Sequence, residues 1–186
     1  MVKTSETSPI YVDFLDPADT GLPGRIGLTI APGKNDGPYR WNRDLDADLQ
    51  RLRDEYRCEL LVSLMEAHEY EFLRIPDLFD RARAWGIETV HFPIVDVDAP
   101  EAGEMPEFAE LVERLLAAAR AGKTVVIHCR GGIGRSGTVA AACLVALGHE
   151  PADAIARVRS ARQGAVESST QERWVHSYSQ ARIAQR

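Results

Sequence analysis

The sequence predicts an α/β fold, a central, mostly parallel sheet flanked by helices. Three observations predict it. From residue 58 onward, short apolar runs rich in β-branched residues alternate with longer segments of helical periodicity, as in parallel strands joined by crossover helices. "CELLVSL" is largely apolar on both faces, as a strand covered by helices on each side must be. "RSGTVAAACLVALG" is apolar on nearly every face, which makes it a central helix.

Residues 1–9 are rich in Ser and Thr and read as a loose tail before a single domain over 10–186. "IYVDFL" and "GRIGLTIAP" read as short strands separated by Pro/Gly turns. "NRDLDADLQRLRDEYR" carries Leu45, Leu49 and Leu52 at helical spacing, with Asn42 or Asp44 as its cap. "EYEFLRI" and "PDLFDRARAWG" are helical, the second opening at Pro76 and closing at Gly86. "TVHFPIV" is a strand and "DVDAPEAGEM" a loop. "PEFAELVERLLAAARAG" is a long amphipathic helix between Pro106 and Gly122. "KTVVIHC" is a strand, and "PADAIARVRSARQ" and "SSTQERWVHSYSQARIAQR" are the last two helices.

The 186 residues have a formal net charge of −6, which argues against a general nucleic-acid binder or a membrane-surface binder. No stretch has the apolar length of a membrane span, and the N-terminus lacks the apolar core of a signal peptide. Three irregularly spaced cysteines make no disulfide framework and suit the reducing cytoplasm. Nothing demands more than a monomer, and no metal or cofactor is expected.

"HCRGGIGRSG" carries the chemistry. In parallel α/β folds ligands bind outside the carboxyl ends of the strands, and "KTVVIHC" ends there with Cys129. Most free cysteines are small buried hydrophobes, a reading that suits Cys58 and Cys143 better than Cys129. Gly131, Gly132 and Gly134 fit a loop whose N–H groups turn inward toward one anion, and the helix that begins near Arg135 points its positive end at the same place. The loop amides of Arg130, Gly131, Gly132, Ile133 and Gly134, with the Arg135 side chain, form the expected phosphate cradle. Such a cradle also stabilises a thiolate and depresses the pKa of Cys129. Arg135 offers two parallel donors to phosphate oxygens. Ser136 either donates to the leaving thiolate or caps the helix. His128 fixes the loop or is a satisfied core histidine. Arg130 attracts an anionic substrate or faces solvent.

The same string matches the His-Cys-x5-Arg-Ser/Thr signature and resembles the protein tyrosine phosphatase superfamily. The short single domain resembles its dual-specificity branch. "GRIGLTIAPGK", "HFPIVDVDAP" and "RSARQGAVESSTQ" are similar to stretches of the kinase-associated phosphatases, over about residues 20–180. The resemblance implies a phosphomonoesterase that dephosphorylates phosphotyrosine, with phosphoserine and phosphothreonine as further candidates, in proteins through a cysteinyl-phosphate. Cys129 is then the nucleophile and Arg135 the phosphate clamp. The general acid lies on "FPIVDVDAPE", where the "PI-x-D" pattern selects Asp96 and Asp98 competes. Gln171 matches a water-positioning glutamine, with a solvated helix residue as its alternative. Glu167 stands where a member of that family has an amide, a departure that weakens carry-over for this loop. Tyr39, Arg40 and Trp41 line the pocket mouth, or Trp41 packs in the core.

Other readings remain at this point. A phosphoinositide or other non-protein phosphatase is opposed by a loop whose only basic residue between Cys129 and Arg135 is Arg130. A pseudophosphatase that binds phosphoproteins without turnover is opposed by the presence of Cys129, Arg135 and Asp96. Rhodaneses lack this frame, and small arsenate reductases place their loop near the N-terminus. Cys58 starts a strand whose other end meets the loop, about 20 Å away at the strand rise, so no disulfide to Cys129 is expected. Cys143 lies two helical turns past Ser136, also too far.

Overall fold

A computed structural model describes residues 2–184. Strand β1 (Asp13–Phe14) and a short helix α1 (Pro17–Thr20) precede β2 (Arg25–Thr29). A two-stranded hairpin of β3 (Asn35–Asp36) and β4 (Trp41–Asn42) follows, then α2 (Leu45–Asp54) and β5 (Cys58–Ser63). Next come α3 (Ala67–Phe72), α4 (Leu78–Ala84), β6 (Glu88–His91) and α5 (Met105–Arg120). The chain finishes with β7 (Thr124–His128), α6 (Gly134–Ala146), α7 (Pro151–Ala161) and α8 (Ser169–Ala184).

The main sheet has the order β1-β2-β7-β5-β6. Only β1 runs antiparallel. Strands β7 and β5 are therefore central, which accounts for the apolar character of both faces of "CELLVSL". Alternate side chains feed two cores, as the two-residue period of a strand requires. Val125 and Ile127 of β7, with Leu60 and Val62 of β5, pack among residues of α5, α6, α7 and α8. Val126 and Leu61 point the other way, toward Leu49, Leu52, Tyr70 and Leu78 of α2, α3 and α4. Every residue of α6 from Gly134 to Val145 is buried, so this helix sits centrally, as its composition predicts.

Several boundaries differ from expectation for local reasons. Asp44, not Asn42, caps α2, its carboxylate accepting from the Ala47 N–H at 2.8 Å. Helix α4 begins at Leu78, because Ile75–Leu78 forms a tight turn before the first helical residue. Strand β6 stops at His91; Pro93 has no N–H for the ladder, yet Ile94 still donates to Leu64 at 3.1 Å and keeps the chain beside β5. A capping box between Glu101 and Glu104 starts a short 3₁₀ turn before α5. Helix α1 and the β3–β4 hairpin are too short to leave a periodic signal. The end of the last helix, at 185–186, lies outside the described residues.

The N-terminal segment, expected to be loose, is tied to the hairpin. The Lys3 N–H donates to Arg40, Asn42 donates back to Lys3, and the Ser5 hydroxyl accepts from the Asp44 N–H. Beneath it, Arg43 and Asp48 form a buried two-point ion pair at 2.7 and 2.8 Å. Asp48 also accepts from the Gly33 N–H, and Arg43 donates to the Ser8 carbonyl, so one pair fixes the tail, the 31–34 loop and α2 together.

Candidate active site

Cys129 follows β7 directly and is 3% exposed. Five residues later α6 begins, with unpaired first-turn amides and the positive end of its dipole toward the loop. The Gly132 N–H donates to Cys129 Sγ at 3.2 Å. The carbonyl of that same peptide, on Gly131, points away and accepts from Arg162 Nη2 at 3.1 Å. Arg162 is in turn held by Asp13 on β1, so the edge strand steadies a peptide that faces the thiol.

Gly132 is required by its conformation and by its neighbour. Its φ is +67°, and a Cβ there would lie 2.1 Å from the Thr29 carbonyl oxygen of β2. Gly134 is required by packing, because a Cβ would meet the Glu167 and Gln171 side chains. Gly131 differs from the expectation that all three glycines are needed to bare the loop: a Cβ there meets nothing within 4 Å. Gly132→Ala is expected to shift the loop against β2 and lower phosphate release about 100-fold, the scale of a misplacement near 1 Å. Gly131→Ala, measured beside it, is expected to stay within about tenfold of wild type.

Arg135 is fully buried in its side chain and held by backbone and carboxylates. Nη1 donates to Glu69 Oε2 at 2.6 Å and to the Ile94 carbonyl at 3.0 Å. Nη2 donates to Glu69 Oε1 at 2.9 Å and is ion-paired with Asp96 Oδ1 at 2.8 Å. Nε is buried and has no partner. Burial pushes the Glu69 carboxyl up, but its hydrogen bonds to Arg135 and to the Glu66 amide outweigh this and hold it below its ordinary range. For Arg135, burial opposes the charge, and Glu69, Cys129 and Asp96 more than restore it.

The loop after β6 brings Asp96, not Asp98, to Arg135. Asp98 turns back to accept from the Ala99 N–H at 2.8 Å. Val97 between them has a φ of 64°, a strained value for a β-branched residue and one that clusters at functional loops. Gln171 is buried and wholly engaged with backbone, which corrects the solvated alternative. Its Oε1 accepts from the Glu167 and Ser168 N–H groups, and its Nε2 donates to the Asp98 carbonyl at 3.0 Å. It thus ties α8 to the loop that carries Asp96.

Ser136 does not cap α6; its hydroxyl is buried without a partner. His128 is likewise fully buried, neither ring nitrogen has a partner, and burial pushes its pKa down to about 3, so it carries no charge toward the thiol. Arg130 is partly exposed at the wall of the cavity above the loop, and it is not free. It pairs with Asp36 at 2.8 Å and lies over the rings of Phe72 and Tyr39. A cavity of about 370 Å³ opens above the loop, lined among others by Lys34, Trp41, Asp96, Gly131, Ile133 and Glu167.

A family model described as "Polymorphic toxin system, DSP-PTPase phosphatase" matches residues 37–149, more than half of the sequence. The chain belongs to the dual-specificity phosphatase family. The phosphatase is 30% identical to rat cyclin-dependent kinase inhibitor 3 over 176 residues, covering 93% of this chain and 80% of that protein. The human protein of that name is 29% identical over the same length. Among solved structures, kinase associated phosphatase with its catalytic-site cysteine replaced by serine matches at a TM-score of 0.86 and 27% identity, over 95% of this chain and 98% of that one. Tk-PTP in its active form matches at 0.69 and 29%, over 91% and 96%.

Sequence reasoning missed three contributors to the phosphatase site: Glu69, Lys34 and Arg162. Glu69 sits in a helix three residues after Glu66, where a capping box is the signal to read; its second partner, Arg135, is 66 residues away. Lys34 and Arg162 reach the backs of loop peptides through tertiary contacts that no local pattern announces. All three cysteines are free and buried. Cys58 pairs in register with Thr124 at the far end of β7, and burial pushes its thiol, and that of Cys143, up to about 12.

Proposed function

We propose that residues 10–186 act as one monomeric phosphatase domain that hydrolyses phosphotyrosine, and by extension phosphoserine and phosphothreonine, in a phosphorylated protein. The observation that carries this is the Gly132 N–H on Cys129 Sγ, in one loop with an Arg135 whose Nε has no partner and whose Nη2 is shared between Glu69 and Asp96. The Nε–Nη2 edge suits two phosphate oxygens. Asp96 now occupies Nη2, so an incoming phosphate takes its place and frees the carboxyl for the leaving group.

Cys129 Sγ, as the thiolate, then attacks phosphorus and the P–O bond breaks, while the Asp96 carboxyl, which takes up a proton from solvent on leaving Arg135, passes that proton to the departing oxygen. Water next attacks phosphorus while the Asp96 carboxylate takes its proton. The S–P bond breaks, and the unpartnered Ser136 hydroxyl donates to the released thiolate. Gln171 serves this cycle by holding the Asp98 carbonyl. The curated relatives bear a kinase-directed name, which supports a phosphoprotein as the substrate. Three unpaired thiols suit the cytoplasm, and among the described residues no helix is long and apolar enough to cross a membrane.

Phosphate release from phosphotyrosine peptides, phosphothreonine peptides and short-chain phosphoinositides tests the reading. Turnover of the peptides is expected; turnover of the lipids alone would refute a protein substrate. Asp96→Ala is expected to lower kcat about 10²- to 10⁴-fold, the range for a lost general acid. Asp98→Ala is expected to remain near wild type, and the opposite ranking would exchange their roles.

A further inference from the structure

Lys34 has a role that the catalytic cycle above does not use. Its side chain is 6% exposed, yet it lines the cavity above the loop. An ammonium has three donors. One goes to the Arg130 carbonyl oxygen, at a long 3.3 Å. The Trp41 ring lies 4.6 Å away and offers its face, a favourable but weak partner. Asp36 gives one oxygen, Oδ2, to Arg130 and keeps Oδ1 buried without a partner, and among the described residues no carboxylate is ion-paired with Lys34. Burying a charge with so few partners is costly unless something else completes its shell.

The neighbouring peptide supplies the pattern. At Gly131–Gly132 a cation, Arg162, holds the carbonyl from behind, and the N–H on the other side meets Cys129 Sγ. In a trans peptide the N–H and C=O point opposite ways, and none of the described bonds is cis. Lys34 likewise donates to the carbonyl of the Arg130–Gly131 peptide, which it shares with the Ala31 N–H at 3.5 Å.

We propose that Lys34 is a positioning residue of the phosphate site: its ammonium holds the Arg130 carbonyl so that the Gly131 N–H faces the incoming phosphate, and its charge adds to that of Arg135. The inference rests on the phosphatase reading of the loop. The groups facing Lys34 are Asp36 on β3, Cys129 and Arg130 on the loop, and Arg43 before α2; Lys3 shares its aromatic platform, 4.7 Å from the Trp41 ring. Burial pushes the Lys34 pKa down to about 8, Asp36 and Cys129 pull it up, and Arg130 and Arg43 oppose them. Lys34 is therefore charged below that pH and neutral above it. A bound phosphate dianion favours the charged form, so the alkaline loss belongs to kcat/KM, which reports the free enzyme, and not to kcat.

The test compares wild type, Lys34→Met and Lys34→Arg by thermal unfolding, by pH profiles on a phenyl phosphate, and by tungstate affinity in a Cys129→Ser background. Lys34→Met is expected to raise KM and weaken tungstate about tenfold, the scale of one lost charged hydrogen bond, with kcat much less affected. Its kcat/KM is expected to lack the fall above about pH 8. Lys34→Arg, which stays charged, is expected to keep tungstate affinity and also to lose that fall. Wild-type KM, wild-type tungstate affinity and an unchanged alkaline limb in Lys34→Met would overturn the proposal. Should that variant fail to fold, an alkaline limb surviving in Lys34→Arg overturns it equally. Cys129→Ser with full turnover would instead sink the phosphatase reading, while the tungstate comparison still reports on Lys34.

Discussion

Cys129→Ser is expected to bring phosphate release down by about a millionfold, the scale on which deletion of a covalent nucleophile acts, while phosphopeptide binding survives. A thiol reaches its anion far more readily than a hydroxyl does, and the anion is the nucleophile. A serine in its place needs a general base. Among the described residues no base is hydrogen-bonded to the atom: His128 is held neutral in the core without a partner, and Sγ accepts from the Gly132 N–H. The same N–H can donate to a serine oxygen, and Arg135 and the loop peptides are untouched. The cradle therefore stays built around an inert centre. Rapid-quench phosphate release and calorimetric peptide binding check both halves. A serine variant that keeps more than about 1% of wild-type turnover would show that the nucleophile lies elsewhere.

Glu69→Ala is expected to be nearly as damaging, by a different route. Its two carboxylate oxygens hold both terminal nitrogens of Arg135 in one plane, and the pair is buried. Removing one partner of such a pair leaves an uncompensated buried charge and costs about 3–5 kcal/mol. Asp96, half-exposed on a strained loop, is the other carboxylate in contact and cannot replace a two-point hold. Arg135 then loses the orientation that presents Nε and Nη2 to phosphate, and kcat/KM falls with stability. Glu69→Gln separates the two effects, since it keeps volume and one acceptor. The acid limb of stability carries the sign. The folded Glu69 pKa lies below its ordinary value of 4.5, so its contribution is present above that value and is lost as pH falls through the lowered folded one. Wild type is expected to lose stability more steeply there than Glu69→Gln in urea titrations at stepped pH. Parallel acid limbs would refute the coupling.

Much of this protein is legible in one dimension because the causes are local. The β-branched apolar run of "KTVVIHC" and the all-round apolar face of "RSGTVAAACLVALG" require a buried strand followed by a buried helix, and a parallel sheet puts its ligands where that strand ends. Cys129, Gly132 and Arg135 lie within seven residues, so their spacing alone assembles a thiol, an inward amide and a guanidinium. Asp96 was readable only with Asp98 as its rival, since sequence places both on one loop. Tertiary structure separated them, because Ile94 stays bonded to β5 and delivers one of the two to Arg135. Lys34 and Arg162 were not legible at all, and Glu69 only as half of a capping box. Each is an ordinary charged residue in its own segment, and its meaning comes from a partner 31 to 96 residues away. Long-range ion pairs and carbonyl contacts leave no period, cap or turn in the chain. Sequence by itself determined the sheet, the loop and the place of its thiol; the packing of α3, the segment between β2 and β3 and the segment after α7 against that loop decided which charges steady it.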